Sequence, residues 1–144
     1  MMPLKKPRPR QKGPGDCVPV VFRYITGEDE VPALGCFLPY LNGQAGVSLD
    51  ALRCCLTKAG YKITPYDVPQ GIDVEFWRSF QGEVVMLYTL DNWEIAHTVL
   101  VRSGGIVIDP DCSSPEDGQF IEDYFKAFGG KNITIKSVSK VTHD

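Results

Sequence analysis

Three side chains in this 144-residue chain are spaced so that they could carry out covalent chemistry together: Cys17, His97 and Asp109. Cys17 follows Gly15-Asp16 and opens a stretch with helical periodicity. A helix N-terminus offers partial positive charge and unpaired N–H groups, which favour a thiolate. The thiolate, rather than the thiol, attacks a carbonyl carbon. That chemistry needs a base that titrates near neutrality. The chain has two histidines. His143 stands next to the C-terminus and is expected to be solvated. His97 opens the apolar run Thr98-Val99-Leu100-Val101, a strand that would hold its ring at the mouth of a cleft. Beyond it, Ser103-Gly104-Gly105 signals a tight hairpin, and Asp109 ends the returning strand. Antiparallel pairing about that turn sets residues near Asp109 opposite those near His97 and Thr98, within reach across the ladder. A carboxylate on one ring nitrogen fixes the tautomer and supports the imidazolium.

Each residue also has a plainer explanation. A free cysteine often packs as a small hydrophobe, and an Asp before Pro110 is common in turns. Asp16 would disfavour a thiolate if it faced the sulfur, so it is expected to turn away and cap the helix. Cys54 and Cys55 fall inside a helical pattern and read as structural; Cys36 and Cys112 are ambiguous. A zinc site from Cys36, Cys112 and His97 would lack paired ligand spacing, so neither metal nor cofactor is expected.

These residues must be positioned by an α+β domain. Val18, Val21, Phe22 and Ile25 repeat at helical spacing, with Gly27 as the stop. Residues 32–46 read as a long loop. A second helix runs from about Ser48 to Ala59, with Leu49, Leu52 and Leu56 inward, and Gly60 ends it. Tyr61 to Val68 is a short strand broken by Pro65, and Asp73 to Phe80 a short helix. Val84 to Leu90 is near-continuously apolar, the mark of a central strand. Ala96 to Arg102 and Ile106 to Asp109 follow as strands. Ser114-Pro115-Glu116-Asp117 starts a helix that buries Phe120, Ile121, Tyr124, Phe125 and Phe128. Ile133 to Val141 is the last strand. N-terminal helices therefore pack on an antiparallel sheet.

Bulk properties set the outer bounds. Hydrophobic residues make up 43% of the chain and charged ones 23%, enough for one domain with one core. The net charge of −3 points to neither nucleic acid nor membrane as a partner. Five irregularly spaced cysteines are no disulfide framework, which suits a cytoplasmic or other reducing compartment. Met1 to Gly15 hold five basic residues, four prolines and no acid. Residues 1–10 are expected to be a flexible tail ahead of a domain over 11–144. Only this basic segment, through residue 12, could touch nucleic acid. Such a tail on a compact domain would suit a viral or phage protein, a bacterial secreted effector or a host-acting toxin alike.

The segment Gln11-Lys12-Gly13-Pro14-Gly15-Asp16-Cys17 resembles the papain-like cysteine peptidase superfamily, in which a Gln stands six positions ahead of a helix-heading Cys. Gly46-Val47-Ser48-Leu49 through Gly60-Tyr61, His97-Thr98-Val99-Leu100 and Ile106-Val107-Ile108-Asp109-Pro110 are similar, in order, to segments of the peptidases that remove double-glycine leaders from bacteriocin precursors. Val18-Pro19 departs from that family, where Gly follows the Cys. The resemblance implies a papain-like fold and a cysteine peptidase acting on a protein or peptide. It casts Cys17 as nucleophile, His97 as base, Asp109 as its orienter and Gln11 as an oxyanion donor. Trp93 and Glu94, by their position just ahead of His97, would wall the substrate side of the cleft, and Trp93 could equally pack only on the turn. An amidase or transglutaminase-like acyltransferase would use the same residues, and a non-catalytic peptide-binding module would keep only the fold. Gly129-Gly130 looks like a double-glycine site, but a helix C-cap accounts for it better. The chain carries no transporter segment, so cleavage coupled to export is not expected.

Overall fold

The structure is a computed structural model that describes residues 17–28, 37, 49–69, 71–90, 96–110, 118–129 and 132–143. Helix α1 (Cys17–Thr26) and helix α2 (Leu49–Lys58) come first. Strand β1 (Tyr61–Pro65), the short helix α3 (Val74–Ser79) and strands β2 (Glu83–Leu90), β3 (His97–Arg102) and β4 (Ile106–Ile108) follow. A two-residue strand β5 (Gln119–Phe120), helix α4 (Ile121–Lys126) and the long strand β6 (Ile133–His143) complete the order. Among the described residues the strands form one sheet in the order β1-β6-β2-β3-β4-β5, and each neighbouring pair is antiparallel.

Period-2 alternation gives this sheet two buried faces. On one, Ile63, Val85, Leu100, Ile108 and Val141 meet Val18, Val21, Phe22 and Ile25 of α1 and Leu52 and Leu56 of α2. On the other, Val84, Met86, Tyr88, Val99, Val101 and Val107 meet Trp77 of α3 and Ile121, Tyr124 and Phe125 of α4. Covering on both faces explains why β2 reads as a continuous apolar run. Each large apolar side chain so buried contributes about 1.5–3 kcal/mol.

The expected elements exist, with instructive differences. Helix α1 is buried on more than its predicted stripe, since Val20 and Tyr24 are also covered. A helix buried almost all round belongs to the interior rather than the surface. Strand β1 ends at Pro65, and because β1 is an edge strand the missing N–H there costs no bond to β6: the next N–H, of Tyr66, still donates to the Val138 carbonyl at 2.9 Å. Cys55 is buried as expected, but Cys54 on the opposite side of α2 is exposed and packs in no core.

The last helix differs most. Its predicted start at residues 114–117 lies outside the described residues, and within them it begins only at Ile121. Gln119 and Phe120 pair instead with Val107 and Ile106, adding an edge strand. At Gly118 a Cβ would fall 2.4 Å from the Val107 carbonyl oxygen, so the main chain closes on β4 there before turning into the helix. Helix α3 forms where predicted, capped by Asp73, whose Oδ1 accepts from the Phe76 N–H at 3.0 Å.

Candidate active site

His97 is the first residue of β3, and Tyr88 on β2 pairs directly with it. Residues directly opposite in an antiparallel pair share a face. The two rings accordingly meet edge to face, with centroids 5.9 Å apart. The hairpin at 103–105 turns through Gly104 and Gly105, both with positive φ, and returns as β4. Leu100 pairs with Ile108. Extending that register by one residue sets Asp109 opposite Val99, two positions from His97 rather than directly across from it. A two-residue offset keeps both side chains on one face and leaves a diagonal gap that an imidazole and a carboxylate can bridge.

They do bridge it. Asp109 Oδ1 lies 2.6 Å from His97 Nε2, and the two side chains are only 12% and 15% exposed. A carboxylate accepts, so Nε2 carries the proton and Nδ1 is the basic nitrogen of the ring. The other carboxylate oxygen, Oδ2, accepts from Tyr124 Oη on α4. Tyr124 Oη is in turn 2.6 Å from Tyr88 Oη. Since the Tyr124 proton goes to Asp109, Tyr88 is the donor to Tyr124. Two donors thus converge on one carboxylate, the arrangement that suits an anion. Burial pushes the Tyr124 phenol far up, and the Asp109 charge beside it adds to the shift. Tyr124 therefore stays protonated and remains a donor at any working pH.

Cys17 is the first residue of α1, the position expected of it. Helix α1 lies against β3 on the face opposite His97. Near its other end, the Ile25 carbonyl accepts from Tyr61 Oη at 3.3 Å. Tyr61 opens β1 opposite His143, at the end of the sheet occupied by Arg102 and away from His97. The N-terminal end of α1 thus points away from that corner, with β3 beneath the helix. The Cys17 side chain, Gln11, Trp93 and Glu94 lie outside the described residues, as do Cys36 and Cys112. His143 is exposed, as expected, and its ring stacks edge to face on Tyr61 at 4.6 Å.

The sequence missed Tyr88 and Tyr124. Both read as core aromatics, and only the fold brings residues 36 positions apart into one hydrogen bond. A cavity of about 400 Å³ opens between Pro69, Ile72 and Ile133 of β6, at the His97 end of the sheet but across β2 from it. It includes neither His97 nor Asp109. No helix among the described residues is long and apolar enough to cross a membrane.

No family model and no curated protein matches the chain. Among solved structures, the chain is similar to the crystal structure of the peptidase domain of Streptococcus ComA, a bi-functional ABC transporter involved in a quorum sensing pathway. The TM-score is 0.64 at 11% sequence identity, over 93% of this chain and 94% of that one, so the shared feature is the α+β fold of a peptidase domain.

Proposed function

We propose that this chain is a cysteine peptidase with Cys17 as nucleophile, His97 as general base and acid, Asp109 as the group that orients His97, and Gln11 as an oxyanion donor. The observation that carries the reading is the 2.6 Å contact between His97 Nε2 and Asp109 Oδ1 at the open end of β3. It sits in a domain whose fold is that of a solved peptidase domain. Helix α1 and His97 belong to opposite faces of the sheet. The sulfur must therefore meet Nδ1 over the end of the strand, which is where His97 stands.

In this mechanism the Cys17 thiol gives its proton to His97 Nδ1, and the sulfur attacks the peptide carbonyl. The Gln11 amide and the Cys17 backbone N–H stabilise the oxyanion. The C–N bond breaks as the imidazolium protonates the leaving amine. Water, deprotonated by the same nitrogen, then releases the acid and regenerates the thiol. Trp93 and Glu94, just ahead of His97, would line the substrate side of the cleft.

Covalent capture tests the reading. An epoxysuccinyl peptide, a broad papain-type inhibitor, should add once to the wild type at Cys17 and not to Cys17→Ala, although four other cysteines remain. Equal labelling of both proteins would overturn the assignment. Slow alkylation of Cys17 by iodoacetamide, at the rate of an ordinary thiol, would favour a binding module instead.

A further inference from the structure

We propose that Tyr124 is a positioning residue of this site: by donating to Asp109 Oδ2 it holds the carboxylate so that Oδ1 meets His97 Nε2, with Tyr88 fixing Tyr124 from behind. The inference rests on the peptidase reading for its catalytic consequence, and on geometry alone for the positioning. Asp109 stands one residue beyond the end of β4. The terminal rotation of a carboxylate is soft. A second donor on the far oxygen removes that freedom.

Tyr124 is built to supply it. The residue is 6% exposed and packs on α4 between Phe125 and Phe128, with ring centroids 5.0 Å and 5.6 Å away. Its hydroxyl is bound on both sides, by Asp109 in front and by Tyr88 behind. Tyr88 is fully buried and is the cross-strand partner of His97. The chain therefore closes on itself. The backbone ladder fixes Tyr88 against His97, and side-chain bonds carry Tyr88 through Tyr124 and Asp109 back to the same imidazole. Burial also keeps Tyr124 protonated, so its role as donor does not lapse with pH.

The experiment reads the His97 Nε2–H proton by nitrogen-15 NMR, which two histidines make simple to assign. In the wild type this proton should be visible and slow to exchange. In Tyr124→Phe it should be lost to exchange, and the rate of Cys17 alkylation by iodoacetamide at neutral pH should fall by about tenfold, the usual worth of a hydrogen bond to a charged group. The Tyr124 hydroxyl proton should also give a slowly exchanging signal in the wild type, a measurement that needs no variant to fold. Persistence of the His97 signal in Tyr124→Phe, or absence of the Tyr124 hydroxyl signal, overturns the proposal. The two readings fail separately. If inhibitor capture at Cys17 proceeds at the wild-type rate in Tyr124→Phe, positioning falls and the peptidase stands. If the His97 signal depends on Tyr124 but Cys17 is never captured, the peptidase reading falls and positioning stands.

Discussion

Alanine at Gly104 and at Gly105 should have very different effects, although the two residues are neighbours in one hairpin with nearly equal φ of 82° and 74°. Either alanine must adopt the left-handed conformation, at about 1–2 kcal/mol. At Gly104 nothing lies within 4 Å of an added Cβ, so that is the whole effect. At Gly105 the Cβ would meet Trp77 Cβ at 2.8 Å and both the Trp77 carbonyl oxygen and Phe120 Cε1 at 3.0 Å. Two of those atoms are backbone or backbone-near and cannot swing aside. The hairpin tip is also pinned, since the Gly104 N–H donates to the Phe80 carbonyl and the Ile121 N–H to the Gly105 carbonyl, both at 2.8 Å. Overpacking of this kind adds about 1–3 kcal/mol. Urea unfolding of both variants checks the difference. With a slope of about 2 kcal/mol/M, the Gly105→Ala midpoint should fall about 1 M below that of Gly104→Ala. Coincident midpoints would show that α3 and α4 do not clamp the hairpin, and would remove the support for the register that sets Asp109 beside His97.

Asp109→Asn should leave the fold intact while inhibitor capture at Cys17 slows by about tenfold, because two charge-assisted hydrogen bonds become neutral ones; an unchanged capture rate would remove Asp109 from the mechanism. In that variant the amide carbonyl would still accept from His97, its N–H₂ would donate to Tyr124, and Tyr124 would donate onward to Tyr88. Leu100→Ala, fully buried on the α1 face, should cost about 2–5 kcal/mol in urea unfolding. Glu83 is buried 3.8 Å from Arg102, and burial pushes its carboxyl up more strongly than the Arg102 charge pulls it down. The folded state thus holds a proton on Glu83 more readily than the unfolded chain does. That stability is fully present below the unfolded value and is lost as pH rises through the folded one. Urea midpoints between about pH 4 and about pH 7 should therefore decline less in Glu83→Gln than in the wild type; parallel curves would refute the burial argument.

Local signals carried much of this molecule. Apolar spacing at residues 18, 21, 22 and 25 was enough to place α1, because one buried stripe has one period. Ser103-Gly104-Gly105 was enough to pair β3 with β4, because a two-glycine turn leaves adjacent strands only one way to return. From those two features alone came Cys17 at a helix start and Asp109 within reach of His97. The tertiary structure decided what no window of neighbouring residues contains. β6 inserts between β1 and β2, although 42 residues (91–132) separate the end of β2 from the start of β6, because sheet order depends on which apolar faces need covering. Gln119 and Phe120 left their helical pattern to satisfy the exposed edge of β4, an obligation set by a strand elsewhere in the chain. Tyr88 and Tyr124 read as ordinary core aromatics. Their hydroxyls became part of the candidate site only when α4 packed on the sheet and a buried carboxylate stood in front of them, since a buried polar group takes whatever partner the packing brings.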